Sequence, residues 1–332
     1  MRVLVTGGGG FLGAAVCASL TEAGHEVSSF ARSLHAELAS LGVQQYRGDL
    51  RDLQDVSAAV SGHEAVVHCA AKAGAWGPER EYREVNVLGT ENVIRACREH
   101  GVRRLVHTSS PSVVHGGEDL DGVDESVPYA TRFPAAYPRT KAEAERIVLA
   151  ANSPELATVA LRPHLIWGPG DPHFVPRVIA AAKSGRLRLV GPADKRIDTV
   201  YVDNAAEAHL LALERLEPGS PIAGRAYFIT QDNPQSTEDT LAALLWAVGL
   251  PPVTRRVPHG LAKGVASVLE FTYRALRLRA EPPLTRLVTD HLGTAHWFDI
   301  SAARRDLGYF PRISSTRGLV RLRLSITEPE LG

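Results

Sequence analysis

The run Arg2-Val-Leu-Val-Thr6, followed at once by Gly7-Gly8-Gly9-Gly10-Phe11-Leu12-Gly13, limits the folds open to this chain more than any other segment. Its first five residues read as a short buried strand. Gly7, Gly10 and Gly13 fall at every third position, and glycine is needed where backbone turns tightly, approaches a pyrophosphate, and brings a helix close to a strand. The helix that follows, through about Ala23, repeats apolar Leu12, Val16 and Leu20. Its N-terminus offers unpaired N–H groups to an anion. A glycine cluster without this context is usually a loop; strand, glycines and helix in this order predict a dinucleotide site.

The next strand bears on which dinucleotide. It runs through Ser28-Ser29-Phe30 and ends at Ala31-Arg32-Ser33. An NAD site usually has an acidic residue here to hold the ribose 2′-hydroxyl. Ala31 stands in that place with Arg32 beside it, and a guanidinium suits a 2′-phosphate. The reading is NADP(H); the alternative is that Arg32 is a solvated loop residue.

Strand candidates near Gln44–Tyr46, Ala65–Cys69, Leu105–Thr108 and Thr158–Leu161 alternate with helical stretches such as Asn92–His100 and Ala142–Ala151. This alternation predicts a Rossmann-type, doubly wound parallel sheet, covered by helices on both faces. Beyond Pro163 the rhythm loosens and prolines multiply, while Ala226–Thr230 reads as a strand returning to the sheet. Residues 1–166 and 198–230 are therefore expected to form the dinucleotide-binding unit, and 167–197 and 231–332 a smaller substrate-binding region. A helix in that region should open at Ser236-Thr237-Glu238-Asp239.

Within Ala-Ala-Tyr137-Pro-Arg-Thr-Lys141, a phenol and an ammonium sit four residues apart, on one face of a helix. Pro138 fits the first turn, where its missing N–H costs nothing. A phenol is a poor acid at neutral pH, and a neighbouring cation would bring its pKa toward a usable range. Alone the spacing is weak, since chance produces it often. Behind the dinucleotide turn it predicts proton transfer.

Composition excludes several classes. Among 332 residues, Lys+Arg 37 balance Asp+Glu 37, which gives no reason to expect nucleic acid or an anionic surface as partner. No apolar run approaches the roughly 18 residues of a membrane span. The chain begins with strand and phosphate turn rather than a leader. Cys17, Cys69 and Cys97 lie in expected core elements without metal-ligand spacing. A reducing cytoplasm is the expected location. Thirteen histidines include no His-x-x-x-His or His-Glu-x-x-His pattern, so no metal is expected.

Together these segments resemble the extended short-chain dehydrogenase/reductase family: the glycine turn, Gly48-Asp49-Leu50, His68-Cys69-Ala70-Ala71, Asn86-Val87-Leu88-Gly89-Thr90, Thr108-Ser109-Ser110, and the Tyr137–Lys141 pair. Within it the likeness is to the 3β-hydroxysteroid dehydrogenase branch, and there to the 2-alkyl-3-oxoalkanoate reductases of bacterial long-chain olefin biosynthesis. That last likeness rests on Ala71–Pro78, Pro111–Gly117, Leu161–Pro172 and His296–Ile300. The resemblance implies Ser110, Tyr137 and Lys141 as catalytic residues, with Ser109 and Ser112 as stand-ins for the serine. It implies a cofactor site of Gly7, Gly10, Phe11, Leu12, Gly13, Asp49, Leu50, Ala70, Ala71, Lys72, Asn86, Ser109, Tyr137, Lys141, Pro163 and Ile166, alongside Arg32. The reaction it implies is NADPH-dependent reduction of the C3 ketone of a 2-alkyl-3-oxo acid. A sterol-type dehydrogenase, a nucleotide-sugar epimerase or dehydratase, and a non-catalytic redox sensor are the alternatives.

Trp76, Phe133, Trp167 and Phe174 could line an apolar pocket or pack in a core. His115, His164 and Arg196 are candidates to hold the substrate carboxylate. The stretch from Leu261 to Leu278 carries apolar residues at helical spacing, with Arg274, Arg277 and Arg279 near its end. It is expected to pack on its own domain as a lid, a membrane surface or a lipid-handling partner being the alternatives. The family implies a homodimer through the Tyr137 helix, and association with other enzymes of the pathway is open.

Overall fold

The computed structural model of the chain describes residues 1–327. Its centre is a seven-stranded sheet in which every pairing is parallel. From edge to edge the strands are Gln44–Arg47, Glu26–Ala31, Arg2–Thr6, Ala65–His68, Arg104–Thr108, Ala157–Pro163 and Arg225–Ile229. Parallel strands covered on both faces need continuous apolar runs. Val3-Leu4-Val5, Ala65-Val66-Val67 and Val159-Ala160-Leu161 supply them, all fully buried. Side chains alternate across the pleat: Val3 and Val5 join a core with Val16, Cys17 and Leu20, while Leu4 joins the opposite one with Val56, Val93 and Leu105.

Strand order reverses between Arg2–Thr6 and Ala65–His68, opening a crevice at their carboxyl ends. Gly7 and Ala70 begin the loops on its two sides. A Cβ on Gly7 would lie 2.8 Å from Ala70 Cα, so the walls touch as backbone.

A four-stranded sheet pairs Gln235–Ser236, Arg196–Ile197, His296–Phe298 and Leu120–Val123. Leu120–Val123 falls inside 1–166 yet pairs with His296–Phe298, so the expected boundary is crossed there. The cause is local: between Ser110 and Tyr137 the chain leaves the main sheet, and its strand pairs where an edge is free. Ser236 does cap its helix, its Oγ accepting from Asp239 N at 3.0 Å. No helix among the described residues is long and apolar enough to cross a membrane.

Candidate active site

The glycine turn is shaped for an anion. Gly7 takes φ +73°, and a Cβ on Gly13 would sit 2.0 Å from Gly7 O, a position no side chain can occupy. No side chain caps the Phe11–Glu22 helix at Gly10, which leaves first-turn N–H groups free to receive a pyrophosphate. These residues fit a dinucleotide. The His35 ring lies over Gly9, where a Cβ would fall 2.0 Å from Nε2. It draws the Ala31–His35 loop beside the turn, with Arg32 exposed on that loop.

Deeper in the crevice the expected residues divide. Asp49 is clamped by Arg51 at 2.6 Å, which holds its carboxyl below the usual range. Leu50 is buried against Gly89. Asn86 is buried and acts on the loop rather than facing the crevice. Its Oδ1 accepts from Lys72 N at 2.7 Å, and its Nδ2 donates to Lys72 O at 3.1 Å and Thr140 Oγ1 at 3.0 Å. Asn86 thereby ties the Ala70–Lys72 loop to the Tyr137 helix. Lys72 Nζ is paired with Glu81 at 2.8 Å.

The helix Ala136–Ala150 puts Tyr137, Lys141 and Glu145 on successive turns. Burial raises the pKa of the Tyr137 phenol, and the nearby Ser110 hydroxyl opposes that shift. Ser110 accepts from Ser112 N at 3.2 Å and Ser112 Oγ at 3.0 Å. Ser109 is buried with an unpartnered hydroxyl, so of the three serines Ser110 is the one near enough to the phenol to affect its pKa.

Lys141 differs from the sequence expectation. Its Nζ donates to Thr108 O at 2.6 Å and lies 3.2 Å from His107 Nε2, so its hydrogen bond runs to the strand rather than to the phenol. Burial lowers the Lys141 pKa to about 8, with Glu145 opposing. Glu145 is itself held by Arg162 at 2.6 Å and Tyr129 OH at 2.7 Å.

Four imidazoles cluster beyond the Ala157–Pro163 strand. His164 lies 4.9 Å from His296, and His115 5.5 Å from His291, between ring centroids. Burial lowers the pKa of all four, so they stay neutral. His164 Nδ1 meets Asp198 O at 2.5 Å and His115 Nε2 meets Thr294 Oγ1 at 3.1 Å. Between His164 and Ile166, Leu165 holds a left-handed φ of 40°. Among the described residues, no three His, Cys, Asp or Glu side chains group as metal ligands.

A cavity of about 640 Å³ is bounded on one side by Phe133–Ala136, the residues that precede Tyr137 in the chain, without Tyr137 itself in its lining. Trp76, Tyr82, Phe133, Tyr273 and Leu278 wall it, and Arg139, Arg274, Arg277, Arg279 and Arg286 line it. Trp76 and Phe133 are thus pocket residues. Trp167 and Phe174 pack in cores instead, Trp167 Nε1 donating to Thr199 Oγ1 at 2.9 Å. His115, His164 and the exposed Arg196 lie outside this cavity's lining.

Arg139 is paired with Glu79, and Arg274 and Arg286 with buried Glu270. Arg277 and Arg279 form no ion pair among the described residues, although the Arg279 charge is near enough to lower the Glu81 pKa slightly. Arg277 also holds φ 53°, the left-handed position after a helix where glycine is favoured. A non-glycine residue kept there costs stability and is characteristic of functional positions.

Over residues 4–257 the chain matches the profile of the 3-beta hydroxysteroid dehydrogenase/isomerase family. It belongs to that family. It is 53% identical over 329 residues to the 2-alkyl-3-oxoalkanoate reductase of Stenotrophomonas maltophilia (strain K279a), covering 98% of this chain and 99% of the relative. The protein of the same name from Shewanella oneidensis is 48% identical over 333 residues, covering 98% of this chain and 86% of the relative. Among solved structures, MoeE5 in complex with UDP-glucose and NAD superposes with a TM-score of 0.75 at 26% identity, covering 100% of both chains. This family member is an NAD(P)-dependent oxidoreductase of the extended short-chain type.

Three sets of site residues escaped the sequence reading. His107, against Lys141, sits in an apolar strand with no motif of its own. The Glu145–Arg162 pair beneath the site had one available signal, the continuation of the Tyr137–Lys141 spacing by another turn. The arginine-lined cavity joins residues about 200 positions apart, which no local pattern reveals.

Proposed function

We propose that this enzyme reduces the 3-keto group of long-chain 2-alkyl-3-oxoalkanoic acids to the 3-hydroxy acid with NADPH, Tyr137 giving the proton. The observation that carries the reading is the cavity bounded by Phe133–Ala136, the segment that runs into the Tyr137 helix. Its apolar walls suit alkyl chains, while Arg277 and Arg279, free of carboxylate partners, suit an acid head group. The names of the relatives at 53% and 48% identity support the same substrate class.

A bound reduced nicotinamide supplies the hydride. Ser110 holds the ketone oxygen, and Tyr137 passes its proton to that oxygen as it becomes an alkoxide. The raised pKa of Tyr137 suits this direction, because the phenol reaches the substrate protonated. Lys141 steadies the phenolate that remains. Arginine contacts to the carboxylate favour its charged form and oppose the loss of CO₂ to which β-keto acids are prone. Ala31 and Arg32 favour a 2′-phosphate, hence NADPH.

The test follows NADPH oxidation with a synthetic 2-alkyl-3-oxo acid beside a steroid ketone and a UDP-sugar. The keto acid is expected to lead in kcat/KM by about 100-fold or more, as a site built around a polar group rejects analogues lacking it. A steroid ketone or UDP-sugar turned over equally well would overturn the assignment.

A further inference from the structure

The helix His259–Ala275 packs inward through Ala262, Ala266 and Glu270, a side too small to need a large core. Its bulky apolar residues face outward. Leu261, Val265, Val268, Phe271 and, just past its end, Leu276 are between 46% and 73% exposed. An unpartnered apolar stripe of this length marks an interaction surface. The expectation that the segment packs on its own domain therefore holds only for its small-residue side.

Charge selects the occupant. From His259 to Arg279 the sole acidic residue is Glu270, which is buried and paired with Arg286 at 2.9 Å. At the margin, Glu281 is paired with Arg177 at 2.6 Å. The outward surface thus presents apolar side chains and Arg274, Arg277 and Arg279 with no exposed carboxylate of its own. A second copy of this surface could offer those arginines no counter-charge in any arrangement. An anionic lipid headgroup can, with acyl chains receiving the stripe beside it.

Position gives the contact a purpose. Tyr273, Arg274, Arg277, Leu278 and Arg279 line the cavity that Phe133–Ala136 also bound, so the stripe ends at that cavity. We propose that this helix lies on an anionic lipid surface and that the long-chain acid enters the cavity from that surface. The entry route rests on the proposed substrate class; the lipid contact does not.

Flotation of the full chain with phosphatidylcholine vesicles, with or without one-third phosphatidylglycerol, tests the contact without reference to turnover. Binding to the anionic vesicles is expected, weaker by about tenfold or more on neutral ones, since each basic residue near a charged surface contributes severalfold. The exposed double variant Val268→Asp/Phe271→Asp should no longer float, while keeping its turnover of a short, water-soluble keto acid and its mass by light scattering. Wild-type protein that stays at the bottom, or a variant that floats as well as wild type, would overturn the proposal. So would a wild-type oligomer that the variant dissociates without lipid, because a second copy would then cover the stripe.

Discussion

Around the glycine turn, the groups offered to a ligand are backbone: first-turn N–H donors that Gly7 and Gly13 expose by lacking a Cβ. Around the cavity they are side chains, long arginines and aromatic rings on segments separated by much of the chain. The backbone site is fixed by packing, with a strand on one side and a helix on the other, and tolerates no added atom. The cavity is bounded partly by exposed helix ends, where a residue can change without disturbing a core. One half therefore holds a constant cofactor, and the other can adapt to the substrate. Relatives named for alkyl-oxo acids and for hydroxysteroids are consistent with such a division.

Adding one methyl group to the backbone site should break it. In Gly13→Ala the new Cβ meets Gly7 O at 2.0 Å, and fluorescence titration should show dinucleotide affinity lowered on the order of 100-fold. Arg32 is the side chain proposed to recognise the 2′-phosphate in that half. Arg32→Ala should weaken NADPH by about 10- to 30-fold and NADH little, as expected for a charged hydrogen bond. Equal loss for both cofactors would remove its role.

On the cavity side, Arg277→Gly separates stability from binding. Glycine relieves the left-handed strain and should stabilise the fold by up to ~1 kcal/mol in chemical denaturation. The same change should raise KM for the keto acid about tenfold while leaving a neutral ketone nearly unaffected. The smallest effect concerns pH. Lys141, lowered to about 8, is charged below that value and neutral above it. Reductive kcat should therefore fall about fourfold between pH 7 and 8.5. A flat profile across that window would show that the Lys141 charge does not matter to the rate.

Sequence legibility follows the same division. The glycine turn, the buried strands and the Tyr137–Lys141 spacing are local patterns, and local sterics dictate them. Ser110 could not be separated from Ser109 and Ser112 by spacing, because a short turn decides which hydroxyl faces the phenol. The direction of Lys141 was hidden too: it depends on Thr108 O and His107, both in a distant strand. Arg196 and Trp167 resembled pocket residues by type, yet Arg196 is solvent-exposed and Trp167 is buried in a core. In the Leu261–Leu278 stretch the helical period was visible, but not which face turned outward. Small Ala262 and Ala266 face the protein, against the usual rule that the bulkiest residues are buried.

The most direct measurement is single-turnover NADPH oxidation by Tyr137→Phe on the keto acid, paired with NADPH titration by fluorescence. Turnover reduced between about 10²- and 10⁴-fold with unchanged NADPH affinity is the expected result for a lost general acid. Wild-type turnover in that variant would contradict Tyr137 as the proton donor.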